Sequence, residues 1–297
     1  MQLCTEGFRL FIMKKLSMKE LSKISSLAIA ALLLTVGTAH ATSPEYLALV
    51  DSADNFIRHQ RWMEAESTII SALRLEPANY TNSMLFSNLG VVRTEQGKYK
   101  DAVEAFNLGL SIAPESKSIL NNRARTFMLM NDYDGALTDI DESLRLDSIQ
   151  EWPLQMRGLI RISRNDTIGA KHDLLLLAKN FYKNDKAFSG LARVAEMEGN
   201  NEDAIKYYDE AITINDDPDI RSARILLKIK MEKYSEASKD IRESLEKHPQ
   251  YPLFFVWRGY LHRLNYRYEE ADADKKSAIS KGVDPQFVEQ FIPKTSK

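Results

Sequence analysis

The sequence predicts an all-α fold, an α-α superhelical solenoid of helix-turn-helix repeats, about seven of them, closed by a C-terminal capping helix. Three observations predict it. Apolar residues recur at helical spacing in paired runs, as in Ser83–Ser116, where one run reaches Arg93, a polar break follows at Glu95–Lys98, and a second run goes from Tyr99 to Ile112 before Pro114. A small residue recurs in each second run at Ala65, Ala102, Ala136, Ala170, Ala204, Ala237 and Ala271, at intervals of 37, 34, 34, 34, 33 and 34 residues. A position in each first run, Ala53, Gly90, Ala124, Gly158, Ala192, Ile225 and Gly259, keeps the same intervals. Two independent series sharing one period signal a repeat array, and small residues are what two antiparallel helices need where they cross closely.

The chain has 297 residues, 44% hydrophobic and 28% charged, enough apolar material for a continuous core. Residues 1–41 hold five basic residues (Arg9, Lys14, Lys15, Lys19, Lys23) and two acids (Glu6, Glu20), so losing them takes the net charge from −2 to −5. An acidic body argues against nucleic-acid partners, which call for clustered Lys and Arg. The one cysteine, Cys4, lies in that stretch, so the rest offers no disulfide, thiolate metal site or Cys nucleophile. Lys14 to Lys23, the apolar run Leu27–Val36 and the Ala39-His40-Ala41 ending read as a signal peptide over 1–41, cleaved after Ala41. The apolar run is about half the roughly 20 residues a spanning helix needs. Met13 or Met18 would open a more usual signal than Met1. The mature protein is expected to be exported, to the periplasm in a Gram-negative source, with no stable membrane insertion after cleavage.

Residues 42–285 read as the array, with repeats at about 46–79, 83–116, 117–150, 151–184, 185–218, 218–251 and 252–285, and residues 286–297 as the cap. An aromatic opens the second helix at Trp62, Tyr99, Tyr133, Tyr234 and Tyr268; Thr167 and Asn201 stand there in repeats four and five. Asp284-Pro285 supplies an N-cap and first turn for a short segment with Phe287, Val288, Phe291 and Ile292. Ile225 is the one large residue at the tight position, so packing is expected to shift there.

Leu89, Gly90, Tyr99, Ala102, Phe106 and Pro114 stand where the tetratricopeptide repeat (TPR) pattern has such residues, and the segment resembles that family. The resemblance covers nearly everything after residue 41. It implies a helical scaffold without catalytic activity or cofactor, whose first helices line a concave face for a peptide or protein partner. The oligomeric state and the partner's identity do not follow from it.

Arg123, Arg157, Arg224 and Arg258 precede the tight position, where the family usually has Leu, as Leu89 and Leu191 are here. Sixteen residues after each comes Asp139, Asp173, Asp240 or Asp274, whereas the three repeats without the Arg have Thr68, Ala105 and Tyr207. This joint occurrence reads as ion pairs inside each hairpin rather than a ligand-binding ladder.

No catalytic set stands out. His59, His172, His248 and His262 are scattered over four repeats, with no HExxH pattern, Gly-rich phosphate loop or Gly-x-Ser-x-Gly elbow. The Asn215-Asp216-Asp217-Pro218-Asp219 turn lacks the Glu a calcium loop needs and reads as a solvated, helix-capping turn. Asp51-Ser52-Ala53, Asp147-Ser148-Ile149 and Asp166-Thr167-Ile168 resemble a bacterial O-glycosylation tripeptide, a pattern short enough to occur by chance.

The second, fifth and ninth positions of each repeat are expected to face the groove. The candidates are Asn121, Arg125, Trp152, Gln155, Leu159, Lys186, Ser189 and Arg193. Asn121 and Gln155 suit a peptide backbone, Arg125 and Arg193 suit a carboxylate, and Trp152 is either an apolar anchor or junction filler. Asn121-x-x-x-Arg125 departs from the clamp some family members use for chaperone tails. The reading is an envelope scaffold or adaptor. The alternatives are a chaperone-like holder of exported chains and a cell-wall glycan binder using Trp152, Trp257 and Tyr260.

Overall fold

The computed structural model describes residues 42–293, so the predicted signal with Cys4 and the last residues of the predicted cap lie outside the described residues. Fifteen helices and no strand form among them. The chain divides into two compact units, one ending at Pro153 and the other beginning at Leu154. The first holds α1 (Pro44–Arg58), α2 (Trp62–Leu75), α3 (Asn82–Glu95), α4 (Tyr99–Ile112), α5 (Lys117–Leu129) and α6 (Tyr133–Leu146), and ends at the start of α7 (Glu151–Ser163). The second holds the rest of α7, then α8 (Thr167–Asn180), α9 (Asp185–Met197), α10 (Asn201–Ile214), α11 (Pro218–Lys230), α12 (Tyr234–Lys247), α13 (Pro252–Leu264), α14 (Tyr268–Ser280) and α15 (Pro285–Phe291).

Within each unit, consecutive helices pair as hairpins and each hairpin packs on the next. The alanines of both spaced series are 0–1% exposed. Gly90 shows why bulk is excluded: a Cβ there would fall 2.5–2.7 Å from ring atoms of the buried Phe106. Ile225 is buried too, and α11 and α12 stay close over less of their length than α9 and α10 or α13 and α14 do.

The hairpin turns share one design. Three residues join the helices in all seven, and the middle one is left-handed: Gln60, Gly97, Asn131, Asn165, Gly199, Glu232 and Tyr266. The next residue's N–H reaches back five residues to a helix carbonyl, as from Lys98 to Arg93 at 2.8 Å and from Arg267 to His262 at 2.9 Å. That bond closes a Schellman motif and satisfies an orphan carbonyl. Asp132 and Asp166 then cap α6 and α8 by accepting from Gly135 N and Gly169 N, each at 2.9 Å.

The array's ends are sealed differently. In the first unit, Tyr46 of α1 is 2% exposed and donates its hydroxyl to the buried Asn82 Oδ1 at 2.8 Å. In the second, α15 lies over α13 and α14. Asp284 Oδ1 accepts from Gln286 N at 2.6 Å to start it, Val288 and Ile292 are fully buried, and Ile292 Cδ1 fills the space a Gly259 Cβ would take.

Replacing Gly90 with Ala should cost about 1–3 kcal/mol through overpacking against Phe106. Thermal denaturation of Gly90→Ala and of Gly90→Ala with Phe106→Leu checks this, because the smaller partner should restore part of the loss.

Candidate protein-binding site

The arginines next to the tight position face inward. Arg123 grips Asp139 at 2.7 and 2.5 Å, Arg157 grips Asp173 at 2.9 and 2.8 Å, Arg224 grips Asp240 at 2.8 and 2.5 Å, and Arg258 grips Asp274 at 3.0 and 2.6 Å. All four are two-pronged guanidinium–carboxylate pairs, with the aspartates 0–3% exposed. They are internal struts, as the joint occurrence of Arg and Asp predicts.

Second basic side chains are also present, and the sequence reading missed them. Arg161 Nη1 reaches Asp173 Oδ2 at 2.7 Å, and Lys228 Nζ reaches Asp240 Oδ2 at 2.9 Å. His262 Nδ1 lies 3.2 Å from Asp274 Oδ2, without hydrogen-bond geometry. Each stands four residues after its Arg, one turn along the same helix face, and that spacing is the signal that could have found them.

The acidic turn between α10 and α11 is more than a solvated cap. Asp217 does cap α11, accepting from Asp219 N at 2.8 Å. Asp216 instead holds the buried Arg221, whose Nη2 lies 3.0 Å from Oδ2 and whose Nε donates to Oδ1; Lys247 approaches at 3.0 Å and His248 at 3.4 Å. The Arg221 hydrogen bonds, opposed by partial burial and reinforced by Lys247 and His248, hold the Asp216 carboxyl far below the usual carboxylate range.

The groove candidates fall in both units. In the first, Arg125 on α5 is exposed and stacks its guanidinium carbon 5.2 Å from the ring of the half-buried Trp152, at the start of α7. Asn121, one turn earlier on α5, donates Nδ2 to Gln150 Oε1 at 3.0 Å, while its buried Oδ1 accepts no hydrogen bond. In the second unit, Gln155 and Leu159 on α7 are half-buried. Lys186 on α9 is exposed, but its Nζ is engaged by Asp185 at 3.1 Å and Asp217 at 3.7 Å. Ser189 donates to Lys186 O at 3.2 Å, and Arg193 is exposed with no hydrogen bond or salt bridge among the described residues.

Of the proposed glycan platforms, Trp257 is buried. Trp257 is 2% exposed, donates Nε1 to Ser222 Oγ at 2.7 Å and stands edge-on to Phe291 at 4.9 Å. Tyr260 is half-buried against Phe291 at 5.9 Å. Both aromatics serve the seat of α15. Among the described residues no three His, Cys, Asp or Glu side chains converge on a metal position, and no helix is long and apolar enough to cross a membrane.

Residues 50–117 and 156–219 match the tetratricopeptide repeat model. Those two stretches are tetratricopeptide repeats, and the chain has the tetratricopeptide repeat fold. It is 35% identical to tetratricopeptide repeat protein 36 of Caenorhabditis elegans over 72 residues, 24% of this chain and 40% of that one. It is 36% identical to the Danio rerio protein of that name over 82 residues, 26% and 44% of the two chains. This chain thus spans about two fifths of the length of the curated relatives it matches. A tetratricopeptide repeat protein from Parabacteroides merdae, of known crystal structure, is 26% identical, with 84% of this chain and 98% of that one superposed at a TM-score of 0.65. The C-terminal part of a TPR repeat-containing protein from Cytophaga hutchinsonii shares the fold at 13% identity, covering 82% and 98% of the two chains at a TM-score of 0.65. Tetratricopeptide repeats are generally non-catalytic scaffolds for protein–protein interaction.

Two predictions follow from the charge networks. Asp173→Ala should cost about 3–5 kcal/mol, since it removes the buried carboxylate that Arg157 and Arg161 share. Replacing Arg157 and Asp173 together with Leu should cost less than that, read by urea denaturation. Asp216 has a depressed folded pKa, so its pairing stabilises the fold above the ordinary carboxylate pKa of about 4 and is lost as pH falls toward the folded value. The melting temperature of Asp216→Asn should therefore lie below that of the parent at neutral pH, and the gap should shrink on acidification.

Proposed function

We propose that the mature chain is an exported, non-catalytic adaptor of a bacterial envelope assembly, and that it takes an extended peptide of a protein partner on its first-helix face. The observation that carries this reading is the Arg125–Trp152 pair. Most of the other arginines described above spend their guanidinium on a buried aspartate. Arg125 has no acid partner among the described residues and stands exposed over an aromatic ring. A cation held over an indole is already ordered, so a carboxylate can meet it with little further entropic cost. The adjoining indole offers the flat apolar surface enriched at interaction hot spots. A segment with an acidic residue beside an apolar one fits this pair.

The basic and apolar leader supports export. Burial of Trp257 weighs against the glycan-binding alternative, which loses that platform.

Capture on the immobilised mature chain from the source envelope, followed by calorimetric titration of the recovered protein, tests this reading. Arg125→Glu and Trp152→Ala should each weaken binding roughly tenfold or more, about 1.4 kcal/mol, without moving the melting temperature. Unchanged affinity in both variants, or capture of a broad unspecific set, would defeat it and leave the holder in its place.

A further inference from the structure

We propose that the cavity between α12 and α13 is a binding site for a small organic oxyanion, a carboxylate or phosphate ester carried on an apolar body. The argument begins with an interruption in the arginine series. Arg123 spends its third arm, Nη1, on Asn107 Oδ1 of the preceding hairpin, at 2.5 Å. Arg224 does the same with Asp209 Oδ1, also at 2.5 Å. Asn107 and Asp209 each stand five residues after the small alanine of their helix, Ala102 and Ala204. The equivalent position before Arg258, five residues after Ala237, is Arg242.

An acceptor is therefore replaced by a second cation. Arg258 Nη1 makes no hydrogen bond among the described residues, and neither does Arg242. The Arg258 side chain is 41% exposed, against 12–20% for Arg123, Arg157 and Arg224. Both open into a cavity of about 490 Å³ that Arg267 also lines. Arg267 has only a long contact of 4.0 Å with Glu270.

Ile241, Leu245 and Leu261 supply an apolar wall, so the space suits more than a bare ion. Glu246 is the one acid among the lining residues, against three arginines. The unfilled fork of Arg242, with the one arm of Arg258 that Asp274 leaves free, matches an oxyanion geometrically as well as electrically. The lining positions of α13, including Arg258, Leu261 and His262, lie on the opposite side of that helix from Leu253, Val256 and Tyr260, which occupy the repeat positions assigned to the groove. The site is thus separate from the face proposed for the protein partner.

Phenyl phosphate and phenylacetate serve as probes, with inorganic phosphate and benzyl alcohol as controls, read by calorimetry and thermal shift on the mature chain. At least one probe should bind once per chain and raise the melting temperature, and the better of the two identifies the oxyanion. Benzyl alcohol should not bind, and inorganic phosphate should bind roughly tenfold more weakly than the better probe. Arg242→Asp restores the acceptor found in the other hairpins, so it should raise the melting temperature without ligand and weaken probe binding roughly tenfold or more. Arg242→Lys should retain most of the binding. No saturable binding of either probe up to about 10 mM, or equal affinity in the parent and Arg242→Asp, would overturn the proposal.

Discussion

A carboxylate sealed between two helices is the constraint on which much of this structure rests. Asp139, Asp173, Asp240 and Asp274 are removed from water, and an uncompensated buried charge costs several kcal/mol. Each is answered by a two-pronged arginine from the facing helix, and three have a further basic group close by. A carboxylate offers about four lone-pair directions, so a planar fork plus one more donor nearly fills it. Such pairs are directional, unlike apolar contact. They fix how far one helix of a hairpin can slide along the other, a register the small residues alone leave free.

The same helices are divided by function around their circumference. On α5, Arg123 turns to its aspartate while Arg125, two residues on, points elsewhere and meets Trp152. Helical geometry separates positions two apart by about 200°, so strut and candidate recognition residue do not compete for space. Recognition side chains can vary in such a scaffold without disturbing the buried charges.

Much of this was legible in the sequence. Two spaced series of small residues located the hairpins, and the joint presence of Arg and Asp identified the struts before any contact was seen. Asp284 and Pro285 marked the start of α15. Other features left a weaker trace. Trp257 and Tyr260 read as platforms although a capping helix was expected, because the sequence does not say which side chains of the last hairpin that helix packs on. Nothing in the sequence marks Arg221 as buried, because its burial depends on Asp216 returning from the turn before it. Among the left-handed turn residues, Gly97, Gly199, Asn131 and Asn165 are types that tolerate that backbone. Gln60, Glu232 and Tyr266 carry it at a cost of roughly 1–2 kcal/mol each, and their side chains give no warning of it.

Those turns also explain where the period drifts. Every connection inside a hairpin has three residues, while those between hairpins range from three to six. The Schellman bond ties the turn residues to the preceding helix and leaves no slack for another. The segment between Leu75 and Asn82 has no Schellman bond, being held instead by Asn82 Nδ2 donating to Glu76 O at 2.7 Å, and the longest interval of the series falls there. Foreign sequence spliced into this junction would lengthen a spacer, whereas the same graft at Gly97 would break a clasp.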